Sequence, residues 1–193
     1  MSMDNIANRC GEWLRGTGPE SDIVMSSRIR LARNLADYPF IRRCNDIDKA
    51  NIESTVRERL IANQNLSNID FINVAELNLL DRQLLVERQL ISRELANSEG
   101  ARSVAIDEPE QLSLMVNEED HMRLQVIKSG LDLGGAWELI NHLDNEIESK
   151  LTYAYSQQLG YLTACPTNVG TGMRVSVLVH PVSYTHLTLP TKA

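Results

Sequence analysis

The sequence predicts a mixed domain of α/β or α+β type, in which closely connected antiparallel strands carry helices laid over the sheet. Three observations lead there. Residues 102–127 hold three short apolar runs at strand spacing, joined by tight turns. Two longer stretches, 45–61 and 136–151, repeat apolar residues at helical spacing. A glycine-bearing turn, Cys165 to Arg174, lies between two further strand-like runs.

In chain order, Asp4 to Leu14 places Ile6, Cys10, Trp13 and Leu14 at helical spacing, and Gly16-Thr17-Gly18-Pro19 ends that helix. Ile23 to Arg33 reads as a strand on which Arg28 and Arg30, two residues apart, share a face. Two cations side by side repel unless an anion sits between them; otherwise they mark a solvated edge. Ser26 and Ser27 would add hydroxyl donors to such an anion. Asn45 to Ile61 reads as an amphipathic helix capped by Asn45 or Asp46, with Ile47, Ala50, Val56, Leu60 and Ile61 toward the core. Ile69 to Val74 is strand-like. Leu79 to Leu90 is mixed, and Val86 to Ser92 either approaches a ligand or simply connects.

Arg102 to Ile106 and Leu112 to Asn117 form a hairpin around Asp107-Glu108-Pro109-Glu110. His121 to Ile127 follows as a third strand, with Met122, Leu124 and Val126 on one face and His121, Arg123 and Gln125 on the other. Between these strands lies Asn117-Glu118-Glu119-Asp120-His121. Acidic turns are ordinarily solvated, but Arg123 emerges beside this one. Gly134-Gly135 precedes a helix from Ala136 to Leu151, with a stripe of Ala136, Leu139, Ile140, Leu143 and Ile147 and with Trp137 packed there as well. Tyr161 to Ala164 is expected to be a strand ending at Cys165, and Arg174 to Val179 the strand that leaves the loop.

The 193 residues carry a net charge of −7 and no basic block, which excludes the footprint of a nucleic-acid binder. No apolar run approaches the ~20 residues of a membrane span, and no basic start leads into an apolar core. A cytoplasmic protein is expected. Cys10, Cys44 and Cys165 are odd in number and scattered, so free thiols are expected, without a metal site of paired ligands. The glycines of the Cys165 loop let the backbone bend closely around a ligand and turn N–H groups toward an anion. The same composition is also ordinary turn chemistry.

Three separated stretches together resemble the phosphagen (ATP:guanidino) kinases: Ser26-Ser27-Arg28-Ile29-Arg30, Asn117 to Arg123, and Cys165 to Arg174. Asp22 to Asn34 and Gly160 to Cys165 bring the likeness closest to the bacterial protein-arginine kinase branch, which lacks the small helical domain of creatine and arginine kinases. The resemblance runs from about Trp13 to His180. It implies an α+β fold, an antiparallel sheet flanked by helices. It also implies an ATP-dependent phosphotransferase that, with Mg²⁺, moves the γ-phosphoryl group to a guanidino nitrogen. In that branch the acceptor is an arginine side chain of another protein, marked for the Clp protease in stress responses, and a zinc-finger-like activator protein is the partner. A kinase for a small guanidino compound and a catalytically silent nucleotide-binding fragment are the competing readings.

By position in the family, Arg28, Arg30, Arg123 and Arg174 would hold the ATP phosphates. Ser26, Ser27 and Ile29, with Val175, Ser176, Val177 and Leu178 after Arg174, would complete the cradle. Gln89 stands where the branch usually has a nucleotide-contacting histidine. Guanidinium groups suit the task, because they stay charged and offer a planar fork of donors to phosphate oxygens. The acceptor guanidinium, with a pKa above ~12, has no free lone pair and needs a proton acceptor. The likeness assigns that role to Glu119, with Glu118 assisting or helping to organise the metal and phosphates, and sets Cys165 against the guanidinium as a thiolate. No metal held by protein ligands alone is expected. Beyond His180 the sequence leaves the family pattern, so residues 1–180 read as the N-terminal portion of the catalytic domain and 181–193 as a foreign or read-through tail. Such a portion would leave strand edges near Cys165 open, fold poorly and have little activity of its own.

Overall fold

The structure is a computed structural model and describes residues 3–61 and 69–180. The predicted tail, 181–193, lies outside the described residues. A six-stranded sheet organises the rest, in the order β2-β3-β4-β5-β1-β8 and antiparallel at every pairing. Its strands are β1 (Val24–Arg33), β2 (Ile69–Asn73), β3 (Ser103–Asp107), β4 (Leu112–Val116), β5 (Met122–Ser129) and β8 (Met173–Val179). Two short strands, β6 (Tyr155–Ser156) and β7 (Gly160–Tyr161), pair separately. This is the α+β architecture expected from the sequence.

Alternation along the strands builds two layers against the sheet. Ile29, Leu31, Leu112, Leu114, Val116, Met122, Leu124 and Val126 face helices α2 (Asp46–Ile61) and α5 (Leu133–Glu148) in the larger core. Val104, Ile106 and Met115 face the other way, against α1 (Met3–Asn8), α3 (Leu79–Glu87) and α4 (Arg93–Asn97). That second layer covers the β3–β4 end only. The same face of β5, β1 and β8 carries Arg123, Arg28, Arg30 and Arg174, and here the cleft opens.

Several elements differ from the sequence expectation. On α2 the buried stripe is Ile52, Val56 and Leu60, spaced by four, while Ile47 and Ile61 are 71% and 67% exposed and Ala50 is also on the outer side. Ile47 precedes Ile52 by five residues and Ile61 follows Leu60 by one, offsets that turn both off the stripe. Asn45 is the cap: its Oδ1 accepts from Asp48 N at 2.8 Å, and Asp48 Oδ2 accepts from Asn45 N at 3.2 Å. Helix α5 begins earlier than predicted, because Asp132 Oδ1 accepts from Gly135 N at 2.9 Å and takes both glycines into the first turn. Trp137 is 43% exposed, one residue round the helix from the buried Ala136.

The N-terminal helix is broken into α1 and a 3-10 turn at Glu12–Leu14. At Gly11 the chain passes Glu110 so closely that a Cβ would meet its Oε2 at 2.8 Å. Trp13 is buried and donates to the Arg88 carbonyl at 3.2 Å, whereas Leu14 is exposed. The strand expected at Tyr161 to Ala164 shrinks to Gly160–Tyr161, since Leu162 N already turns to the Ala154 carbonyl. Among the described residues no helix is long and apolar enough to cross a membrane.

Asp107 ends β3 and accepts from Leu112 N at 2.8 Å, closing the hairpin. Burial pushes its pKa up to about 6, against the pull of its backbone hydrogen bonds. A carboxyl raised in the folded state stabilises the fold below its ordinary pKa and loses that contribution as pH rises through about 6. Asp107→Asn is therefore expected to remove part of the fall in thermal midpoint between pH 4 and 7 measured by circular dichroism; an unchanged slope contradicts the assignment.

Candidate active site

The register of the central strands gathers the arginines. Arg30 pairs across to Arg174 on β8 and to Gln125 on β5, which places Arg123 diagonally beside it. Arg28 lies one step along the same face, opposite Ser176. Burial pulls Arg30 down to about 10, and the cations of Arg28, Arg123 and Arg174 pull the same way. Arg28 is lowered by burial and by Arg123. Arg28 and Arg30 are thus held at a cost to their charged forms, a cost that an anion among them would offset.

The carboxylates come from the turn between β4 and β5. Arg123 donates from Nη1 to Glu118 Oε1 at 2.7 Å and from Nη2 to Glu119 Oε2 at 3.2 Å. Glu118 is buried and also accepts from the Ser92 hydroxyl, while its Oε2 is buried without a protein hydrogen bond. Burial raises the Glu118 pKa; Arg123 and Ser92 oppose it, and Glu94 and Glu119 reinforce it. Glu119 is the more open of the pair and faces the cleft. The acidic turn is thus not a solvated loop.

Cys165 lines the same cleft from the start of a 3-10 turn, Pro166–Asn168, with its Sγ 3.0 Å from Thr167 Oγ1. One cleft of about 540 Å³ is lined by Arg30, Arg123, Arg174, Glu118, Glu119 and Cys165. Arg42 and Glu94 also reach it. Asp120, fully buried, ties the acidic turn to the segment that precedes Cys165. Its Oδ1 accepts from Ala164 N at 2.7 Å, next to Cys165, and from Asn34 Nδ2 at 2.6 Å. His121 accepts at Nδ1 from Leu35 N and lies within 2.9 Å of the Pro39 carbonyl at Nε2, and burial lowers its pKa. These distances fit a neutral ring protonated on Nε2.

Not every expected residue reaches the cleft. Ser27 points to the helix side, where its hydroxyl donates to the Gly130 carbonyl at 2.6 Å and accepts from Asp132 N at 3.1 Å. Ile29 is buried in the larger core, and the β1 backbone from Ser26 to Ile29 lies between two paired strands. On β8 the alternation puts Ser176 and Leu178 on the arginine side and Val175 and Val177 on the other. Gln89, which like Arg28 does not line that cleft, meets Arg28 instead: Arg28 Nη1 donates to its Oε1 at 3.3 Å, and its carbonyl accepts from Gln125 Nε2 at 2.6 Å. It does so in a left-handed conformation, φ 59°. Sequence reasoning gave no role to Ser92, Asp120 or Glu94, although Ser92 lay in a stretch suspected of approaching a ligand and Asp120 in the acidic turn itself.

For Mg²⁺, the donor set suits an ion held chiefly through substrate. Among the described residues no group of three or more candidate ligands gathers. Mg²⁺ commonly keeps its waters and takes one or two carboxylates with substrate phosphates, and Glu118, with Oε2 unpaired, and Glu119 are the carboxylates at the cleft.

Comparison with known proteins gives this geometry its lineage. Residues 51–183 match the family model described as ATP:guanido phosphotransferase, C-terminal catalytic domain. The protein-arginine kinase of Symbiobacterium thermophilum is 47% identical over 185 residues, covering 93% of this chain and 52% of that protein. That of Bacillus cereus is 43% identical over 183 residues, covering 93% and 51%. The chain thus spans about half the length of the curated relatives it matches. Among solved structures, the duplicated taurocyamine kinase of Schistosoma mansoni, with bound transition state analog components, superposes with a TM-score of 0.78 at 22% identity, covering 96% of this chain and 27% of that one. Lombricine kinase superposes with a TM-score of 0.77 at 22% identity, covering 97% and 54%. These two share the fold. The family model, which matches more than half of the chain, shows that the chain belongs to the ATP:guanido phosphotransferase family.

Proposed function

We propose that the chain carries the phosphate-binding and acceptor-binding groups of an ATP-dependent protein-arginine kinase. The observation that carries the reading is the juxtaposition in one cleft of Arg30, Arg123 and Arg174 with Glu118, Glu119 and Cys165. The relatives named protein-arginine kinase, at 43–47% identity, favour a protein acceptor over a small guanidino compound.

The chemistry follows from the groups. The arginines neutralise and align the triphosphate, so that the γ-phosphoryl group faces the carboxylate side of the cleft. Glu119 takes two parallel hydrogen bonds from the acceptor guanidinium and removes a proton as the N–P bond forms and the bond to ADP breaks. Glu118, raised by burial and adjacent to Arg123, keeps Glu119 oriented through that shared arginine. Cys165 opposes the guanidinium from the other wall and orients it. Mg²⁺, when bound, screens charge on the phosphate oxygens. By the same likeness the marked proteins go to a Clp-type protease in the cytoplasm under stress, and a zinc-finger-like protein activates the kinase.

The test uses the 193-residue chain and a chimera in which residues 1–180 replace the matching half of the Symbiobacterium thermophilum relative. Each is incubated with ATP and either an unfolded protein or free arginine, and phosphoarginine is read by mass spectrometry. Phosphoarginine on protein, with the chimera far more active than the chain alone, is expected. Phosphorylation of free arginine alone would select the small-guanidino reading, and a folded, ATP-binding chimera without transfer would select the silent fragment. In the active chimera, Cys165→Ala should lose turnover by about 10–100-fold, because it removes an orienting group without touching the phosphate cradle. Equal loss of ATP affinity in a calorimetric titration rejects the role.

A further inference from the structure

We propose that Arg33 is a positioning residue, holding the loop between Cys165 and Arg174 at the place where both side chains reach the cleft; the inference rests on the phosphotransferase reading of that cleft. Arg33 ends β1 three residues after Arg30 but points to the opposite face of the sheet, where it is 3% exposed. It touches no candidate substrate group. Its contacts instead join three elements that the sequence keeps far apart.

On one side Arg33 grips Asp144 of α5: Nε lies 3.1 and 3.2 Å from the two carboxylate oxygens, and Nη2 donates to Oδ2 at 2.6 Å. Tyr153 donates its hydroxyl to Asp144 Oδ1 at 3.1 Å, so the carboxylate is fixed before it meets the arginine. On the other side Nη1 donates to the Thr171 carbonyl at 3.0 Å, inside the loop, and to its own neighbour's carbonyl, Ala32 O, at 2.9 Å. The guanidinium plane is capped by Tyr161, whose ring centre is 3.7 Å from Cζ.

Tyr161 is itself tied to the loop. Its N donates to the Gly170 carbonyl at 2.8 Å, and Gly170 N donates back at 3.3 Å. Gly172 closes the clamp. Its carbonyl accepts from Ala32 N at 2.8 Å, its φ is +64° in the left-handed region, and a Cβ there would lie 2.5 Å from Arg33 Nη1 and 2.6 Å from Ala32 O. Residues 170–172 are therefore held by Arg33 from beneath, two positions before Arg174 and five after Cys165. A buried pair with Asp144 alone would serve packing; the Nη1 arm to Thr171 extends that pair to the cleft. Only a planar fork of donors can serve both partners at once.

Arg33→Lys keeps a cation for Asp144 but loses the second arm, and Tyr161→Leu leaves the ion pair intact while removing the cap. Both variants are made in the full chain with Cys10→Ser and Cys44→Ser, so that Cys165 is the one thiol. The expected result is a change of about fivefold or more in the rate of Cys165 alkylation by iodoacetamide and faster hydrogen exchange at residues 170–173, with the amides of β4 and β5 still protected. ATP affinity, read by calorimetry, should fall by about tenfold as Arg174 is misplaced. A lowered thermal midpoint with Cys165 reactivity and loop exchange unchanged in both variants overturns the proposal and leaves Arg33 a core ion pair. If Arg33→Lys does not fold, Tyr161→Leu decides by the same two readouts. Absence of ATP binding in the parent chain would count against the phosphotransferase reading alone, and the thiol and exchange readouts still judge Arg33.

Discussion

Glu119→Gln in the chimera is expected to lower turnover by about 10²–10⁴-fold while ATP affinity stays within about twofold, because the substitution removes a proton acceptor and keeps the shape of the side chain. Glu119 Oε2 lies 3.2 Å from Arg123 Nη2, a contact that a glutamine carbonyl oxygen can keep, so the phosphate contacts need not move. The amide retains one oxygen for Arg123 but cannot take the proton that an acceptor guanidinium must lose. Initial rates with protein acceptor, beside calorimetric ATP titrations of the same samples, check both halves. Near-normal turnover removes Glu119 from the chemistry.

Arg123→Ala should have the largest effect on the fold. It takes away the cation that both Glu118 and Glu119 bind and strands a carboxylate whose side chain is 1% exposed. Removing one partner of a buried pair costs about 3–5 kcal/mol. Relief of the repulsion that Arg123 exerts on Arg28 and Arg30 brings the loss toward the lower end. The sign with pH follows from Glu118. Its pKa is already raised by burial, and losing Arg123 raises it further. The carboxyl is tolerated while protonated and becomes costly as pH rises through the folded pKa. The difference in stability between parent and variant should therefore be small in acid and grow toward neutral pH in urea titrations. A difference independent of pH, or one that shrinks toward neutrality, contradicts this.

Much of the sheet was legible because strand alternation is a local signal. The faces of β5 follow from Met122, Leu124 and Val126 alone, and the common face of Arg28 and Arg30 from their spacing. The helices were less legible. Ile47 and Ile61 are as apolar as Ile52, and the face that wins depends on where α2 meets the sheet. At α5, Gly134-Gly135 reads locally as a break, yet the Asp132 cap draws both into the helix. Apart from Arg42 and Glu94, the charged residues of the cleft could be listed from the sequence, but not which were buried or whom they met. Arg33 and Asp144 are separated by 111 residues, and Asp120 joins Asn34 to Ala164 across similar distances. Ser27 shows the converse. A hydroxyl beside two phosphate-type arginines invited a ligand role, but a strand shows alternate residues to alternate faces, and this one serves Gly130 and Asp132.

Calorimetric titration of the folded 193-residue chain with ATP asks whether the arginine cluster is a nucleotide site. Saturable one-site binding that weakens with salt, as a site of several phosphate contacts must, and that is lost in Arg30→Ala is the expected result. A folded chain that takes up no ATP, or one that binds it equally well without Arg30, would contradict it.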